Sequence, residues 1–202
     1  MPCLNDATSL TGFDPYYFFH LAWAARVLAG TKPVWHVDVA SHLDFCAIVS
    51  AFVPVRFYDY HALEAKLSNL ETGQADLVRL PFADETIPSL SCLHVIEHIG
   101  LGRYGDPLDV DGDLKAMAEL KRVLAPGGTL LLAVPVGRPR VQFNAHRIYS
   151  YAQILHGLKG LPLKEFALIP DDWRAGHLIR RASPELVAHQ NYACGCFWFQ
   201  KP

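Results

Sequence analysis

Val34-Trp35-His36-Val37-Asp38-Val39 is a short run rich in β-branched residues that closes on small and polar positions, the pattern of a buried strand. Directly behind it, His42 to Phe52 predicts a helix stopped by Pro54. Val55-Arg56-Phe57-Tyr58 then predicts a second strand, closing on Asp59. Strand, helix and strand in so short a span make a βαβ unit, whose two strands must run parallel.

Working outward, the alternation continues. A short helix is expected from His61 to Leu67, and Ala75-Asp76-Leu77 reads as a stubby third strand or its exit. Leu90 to Ile96 predicts a fourth strand, followed by a glycine-punctuated loop from Gly100 to Gly112. The next helix carries Leu114, Met117, Leu120 and Leu124 on one stripe, is broken by Pro126-Gly127-Gly128, and leads into a fifth strand, Thr129 to Val134. Tyr151 to Leu158 predicts a helix. Leu163 to Ile169 and Ala193 to Phe199 are two late strands separated by a polar stretch. The expectation is an α/β, Rossmann-like three-layer sandwich around a mostly parallel sheet, with ligands bound beyond the carboxyl ends of the strands.

On the amino-terminal side, Tyr16 to Ala29 is an aromatic, apolar run interrupted by His20 and Arg26. It is too short and too polar to span a bilayer, and no basic segment marks it as a signal peptide. Asp14 suits an N-cap, Pro15 the first helical position and Gly30 the stop. Residues 1–33 are therefore expected to be a helical extension packed on a single domain of 1–202.

The chain's 202 residues are 51% hydrophobic and 19% charged, enough to build a sizeable core. Its 18 basic and 20 acidic residues give a net charge of −2, with no Lys/Arg run, which argues against a nucleic-acid grip. The cysteines, Cys3, Cys46, Cys92, Cys194 and Cys196, are odd in number and scattered. They predict a reduced, cytoplasmic protein without a disulfide framework.

The strand ends carry the chemistry. Asp38 stands near the end of the first strand and Asp59 ends the second, 21 positions later. An acid at that distance is placed to bind the ribose hydroxyls of a nucleotide, though Asp before a helix is also an ordinary cap.

Further along come Ala75-Asp76-Leu77, Leu80-Pro81-Phe82-Ala83-Asp84, His94-Val95-Ile96-Glu97-His98 and Glu119-Leu120-Lys121-Arg122-Val123-Leu124-Ala125-Pro126-Gly127-Gly128. In that order they resemble the core of the class I S-adenosylmethionine-dependent methyltransferases. More narrowly, Gly100-Leu101-Gly102-Arg103-Tyr104-Gly105-Asp106-Pro107 with Val134-Pro135-Val136-Gly137 and Phe143-Asn144-Ala145-His146-Arg147 resembles the DUF268 group, methyltransferase-like proteins of unassigned function. The resemblance spans Val34 to Tyr151, with an echo at Cys194-Gly195-Cys196-Phe197.

That resemblance implies a seven-stranded sheet with the last strand antiparallel, and S-adenosylmethionine as cofactor. It puts the methyl donor over the first loop at Asp38 and Ala40, ribose on Asp59, adenine beside Asp76 and Leu77, and the methionine part near His94. One departure stands out. Asp38-Val39-Ala40-Ser41-His42-Leu43-Asp44 lacks the glycines with which this family brings backbone close to the cofactor. The alternative reading is accordingly a non-catalytic binding or scaffold domain that has lost its cofactor.

Methyl transfer requires alignment and sometimes a base. His98 and His146 are the candidate bases, with Glu97 to orient one of them. Arg103, Tyr104, Asp106 and Asn144 are candidate contacts to a small or carbohydrate-type acceptor, and Arg147 to an anionic group.

Four other motifs fall away. Gly100-x-Gly102-x-x-Gly105 is followed by Asp106-Pro107 where a dinucleotide site needs a helix. His94-x-x-Glu97-His98 lacks the helix that a zinc-hydrolase pattern requires. Asp109-x-Asp111-Gly112-Asp113 continues with Leu114 and Leu120 where a calcium loop needs Gly and Glu. Cys194-x-Cys196 lies in an apolar strand with no second ligand pair nearby in sequence, so it reads as core packing and no metal site is expected.

Overall fold

The structure is a computed structural model and describes residues 12–202. Cys3 and the start of the expected amino-terminal extension lie outside the described residues.

Helix α1 (Pro15–Thr31) begins as expected: the Asp14 carboxylate accepts from the amides of Tyr16 and Tyr17 at 2.9 and 3.2 Å. It ends later than Gly30, on Lys32, whose φ of 48° turns the chain out of the helix while its amide donates to Leu28. Then follow β1 (His36–Val39), α2 (Leu43–Val49), β2 (Val55–Asp59), β3 (Leu70–Gln74), β4 (Ile87–Leu93), a 3-10 turn (Ile96–His98), α3 (Gly112–Val123) and β5 (Leu124–Val136). The carboxyl-terminal part is β6 (Arg140–Gln142), β7 (His146–Ile148), α4 (Tyr151–Gly157), β8 (Leu163–Ile169), two one-turn helices α5 (Trp173–Gly176) and α6 (Glu185–Ala188), and β9 (Ala193–Gln200).

Seven strands form one sheet in the order β3-β2-β1-β4-β5-β9-β8. β1, β2, β3, β4 and β5 pair in parallel, and β9 is antiparallel to both β5 and β8. The expected mostly parallel sheet with its last strand reversed is therefore the observed one.

Both faces are covered, and β5 shows how. Leu130, Leu132, Val134 and Val136 join Met117 and Leu120 of α3 and Ile154 of α4 on one side. Leu131 and Ala133 join Trp23 and Leu28 of α1 and Phe45 and Val49 of α2 on the other. Period-two alternation in a strand buried on both faces demands apolar residues at every position, which is what β5 supplies from Leu130 to Val136.

Several expected elements differ. No helix forms between His61 and Leu67; that stretch is irregular, and Thr72 ties it down by donating to the Leu63 carbonyl at 2.8 Å. The third strand is Leu70–Gln74, so Ala75-Asp76-Leu77 is its exit. Pro126-Gly127-Gly128 lies within β5, and the α3 stripe is Asp113, Ala116, Met117, Leu120 and Val123. Leu114 lies about 100° around the helix from Asp113 and is half exposed. A two-stranded hairpin, β6–β7, was not foreseen.

Candidate functional site

Strand order reverses at β1 and β4: β2 and β3 extend the sheet to one side, β5 and its successors to the other. The loops leaving the two strands must diverge there, which opens a crevice at their carboxyl ends. A cleft of about 470 Å³ occupies that place, within the range of small-ligand sites.

Its floor is the loop after β1, its sides the exits of β2, β3 and β4. Val39, Ala40 and Ser41 come from the first loop, Asp59, Tyr60 and His61 from the second, and Asp76 and Leu77 from the third. His94 and His98 come from the chain after β4, and Tyr17 reaches in from α1.

The glycine-free loop keeps a glycine-like path. Ala40 adopts φ 54°, and its amide donates to the Tyr58 carbonyl at 2.7 Å. The Asp38 carboxylate, wholly buried, accepts from the Ser41 amide at 3.0 Å and from the Ser91 hydroxyl. Burial pushes the Asp38 pKa up, and those two serines pull it back. Neither His42 nor Asp44 borders the cleft; the His42 ring packs against Tyr17, centroids 5.7 Å apart.

Asp59 uses one carboxylate oxygen to accept from the His61 amide at 2.9 Å. Its other oxygen makes no hydrogen bond to the described residues. Asp76 likewise closes a turn, accepting from the Val78 amide at 3.0 Å. Both acids thus brace turns and both line the cleft; the helix that Asp59 would cap does not form.

With this geometry in view, comparison with known proteins gives a consistent result. Residues 83–163 match the family described as "Caenorhabditis protein of unknown function, DUF268". No curated protein matches the chain. Among solved structures, the N-methyltransferase NodS from Bradyrhizobium japonicum WM9 in complex with S-adenosyl-L-homocysteine superposes with a TM-score of 0.65 at 13% identity, covering 98% of this chain and 94% of that one. A geranyl diphosphate methyltransferase in complex with S-adenosylmethionine gives 0.62 at 14% identity over 90% and 85%. The [4+2]-cyclase SpnF gives 0.59 at 14% over 89% and 81%.

The chain has the class I methyltransferase fold.

Within that fold, the remaining sequence-predicted residues are placed as follows. His98 lines the cleft, and its Nδ1 lies 2.6 Å from the Ala145 carbonyl. A carbonyl only accepts, so Nδ1 carries the proton and Nε2 keeps its lone pair. Glu97 is buried beneath, with Oε1 3.0 Å from His94 Nδ1 and 3.7 Å from His98 Nε2. Tyr104 and Asp106 border the cleft, but the Asp106 carboxylate accepts from the amides of Gly100, Gly102 and Tyr104 and thereby shapes the glycine loop. Gly100 itself has φ 80°, and a Cβ there would meet the Asp109 carbonyl at 2.1 Å, so no other residue fits.

Five further residues stand apart from the cleft lining. Asp38 lies under the first loop as its brace. Arg147 is buried and donates to the carbonyls of Ile99 at 2.6 Å, Asp109 at 3.4 Å and Val110 at 3.3 Å, with Asp113 3.5 Å from its Nε. It is a strut between the hairpin and the glycine loop, its donors engaged within the protein. Arg103 donates to the Ala145 carbonyl at 3.0 Å, and Asn144 sits exposed at the tip of the β6–β7 hairpin. His146 packs on Tyr192 at 5.1 Å and lies 6.3 Å from the His98 ring; burial first, then His98, lower its pKa.

Sequence reasoning missed two features. Tyr17 enters the cleft from an element that read only as a buried helix. His36, within β1, is wholly buried between the Ser89 and Ser91 hydroxyls, 2.8 Å from each. The period-two spacing of His36 with Asp38 and of Ser89 with Ser91 was the available signal.

Proposed function

We propose that this protein is an S-adenosylmethionine-dependent methyltransferase acting on a small, polar or carbohydrate-type acceptor. The observation that carries the reading is the first loop. It lacks glycine, yet Ala40 takes the left-handed turn and His42 and Asp44 stay outside the cleft, leaving a groove open toward Asp59. That opening favours the catalytic reading over the non-catalytic scaffold, which rested on the missing glycines of this loop. Bound cofactor products and donors in two proteins of the same fold support the choice of ligand.

In this reading the free oxygen of Asp59 accepts from ribose hydroxyls, Asp76 and Leu77 border adenine, and Ala40 and His94 flank the methionine part. The cofactor supplies the methyl group. His98 Nε2 takes the proton from the acceptor as its oxygen or nitrogen is methylated, and Glu97, 3.7 Å away, stabilises the imidazolium formed. His146, whose pKa burial lowers, stands behind it outside the cleft lining. Tyr104 and Asp106 stand at the acceptor end, with Arg103 and Asn144 at its rim.

The described residues contain no helix long and apolar enough to cross a membrane. Cys46, Cys92, Cys194 and Cys196 are all free thiols, which supports a reducing, cytoplasmic location.

The test is calorimetric titration with S-adenosylmethionine and S-adenosylhomocysteine. Micromolar binding that weakens at least about tenfold, ~1.4 kcal/mol, in Asp59→Ala is expected. No binding up to millimolar ligand by folded protein would overturn the reading.

A further inference from the structure

We propose that His20, His94 and Cys194 form a binding site for one Zn2+ ion, clasping α1 to the sheet beside the cleft. Three elements distant in sequence supply the ligands: α1, the exit of β4 and the start of β9. One ligand atom from each lies within 4.8 Å of the other two. His94 Nε2 and Cys194 Sγ are already 3.2 Å apart, close to a ligand-to-ligand edge of a tetrahedral zinc site, which bonds of about 2.0–2.3 Å put between 3 and 4 Å. The His20 and His94 rings are in contact at 4.9 Å between centroids, so His20 closes the triad by a small turn of its ring.

His20 is the observation that points to a ligand. It is wholly buried, and among the described residues neither ring nitrogen has a hydrogen-bond partner. The Tyr16 backbone lies close enough to favour the charged ring slightly, but burial and the neighbouring His94 outweigh it and hold the pKa well below 6.5. A buried imidazole with both nitrogens unmet costs free energy, whereas a neutral imidazole is the form that binds metal.

The second ligand is preset. Glu97 accepts from His94 Nδ1 at 3.0 Å, so the proton sits on Nδ1 and the Nε2 lone pair is aimed at Cys194. A carboxylate behind a ligating histidine fixes its tautomer and raises its basicity in this way. The φ of 60° at His94, unusual for a non-glycine residue, puts the ring there.

Cys194 is a thiol in the metal-free protein, its pKa raised by burial. Its S–H donates to His94 Nε2; on binding, the sulfur and nitrogen lone pairs go to zinc and one proton leaves to solvent. Two imidazoles and one thiolate suit Zn2+ and leave a fourth position. Core packing of Cys194 is real, but it accounts for neither His20 nor the aim of His94.

The test uses the full, reduced chain freed of metal, and needs no methyl donor, so it stands or falls apart from the proposed transferase activity. Titration with Co2+ should give a thiolate-to-cobalt charge-transfer band saturating at one equivalent, displaced by Zn2+. Zinc should release about one proton per chain and raise Tm. The band should vanish in Cys194→Ser and in His20→Ala, checked for fold by circular dichroism, and persist in Cys46→Ala. If either variant fails to fold, the wild-type band and proton count still decide. A folded wild type with no thiolate band, a band that survives in Cys194→Ser, or metal uptake without proton release or a rise in Tm would overturn the proposal.

Discussion

The amide of Ala40 donates to the carbonyl of Tyr58 at 2.7 Å while Ala40 itself holds a φ of 54°. The hydrogen bond extends the β1–β2 pairing by one residue and forces the left-handed turn that lays the loop along the cleft floor. An L-residue in that conformation costs about 1–2 kcal/mol, and glycine gives back part of that gain through its larger unfolded entropy. Ala40→Gly is therefore expected to stabilise the protein by about 0.5–1 kcal/mol in urea unfolding. It should leave cofactor binding intact or tighter. Destabilisation would show that the loop derives its shape from elsewhere.

Arg147 separates a structural role from a ligand role. Its guanidinium serves three carbonyls and Asp113 inside the protein. Arg147→Met keeps much of the volume but removes the charge partner of the buried Asp113 carboxylate, which retains only the Tyr149 hydroxyl among the described residues, and it should cost about 3 kcal/mol. Thermal or urea unfolding reads that loss directly. A variant of unchanged stability with impaired binding of an anionic acceptor would restore the role assigned to it from the sequence.

The fold was legible because its signals are local. The β5 run and the βαβ unit at Val34–Tyr58 fix a parallel sheet whatever surrounds them. That Asp59 and Asp76 lie at the cleft was legible because both follow strands at the carboxyl edge of the sheet, although each also closes a turn. Legibility failed where meaning lies between distant segments. Nothing near Arg147 in the sequence shows the carbonyls that claim it, and nothing near Cys194 shows His20 or His94. Leu80–Asp84 and Glu119–Arg122 lie far apart in sequence but form one unit: Arg122 donates to the Leu80 and Phe82 carbonyls and to Asp84, and Glu119 accepts from the Leu80 amide.

That unit carries an acid-labile part of the stability. Arg122 grips Glu119 through two bonds of 2.7 Å, and this holds the Glu119 pKa below its ordinary 4.5. A depressed carboxylate contributes stability that is complete above about pH 4.5 and lost as pH falls through its folded pKa. The pair is partly exposed, so solvent screening limits the effect to about 1 kcal/mol. Glu119→Gln should lower stability at pH 7 by that amount and flatten the loss below pH 4.5. The check is the urea midpoint followed by tryptophan fluorescence across pH 3–7.

His36 predicts an acid response of opposite cause. Burial drives its pKa down to about 3, whereas in the unfolded chain it titrates near 6.5. Between those values the unfolded chain holds a proton that the folded one refuses. Stability contributed by the neutral ring is full above pH 6.5 and falls as pH drops through the window. The hydrogen bonds also fix its tautomer. The Ser91 hydroxyl donates to Asp38, so Ser91 can only accept from His36 Nε2–H, and Nδ1 accepts from Ser89. Nitrogen NMR of the folded protein should show a neutral Nε2–H imidazole unchanged from pH 7 down to pH 5. His36→Gln should reduce by about one the protons taken up on unfolding at pH 5. An imidazolium signal from His36 at pH 5 would mean that the chain from Asp38 to Ser89 is charged and that β1 and β4 are held together by different bonds.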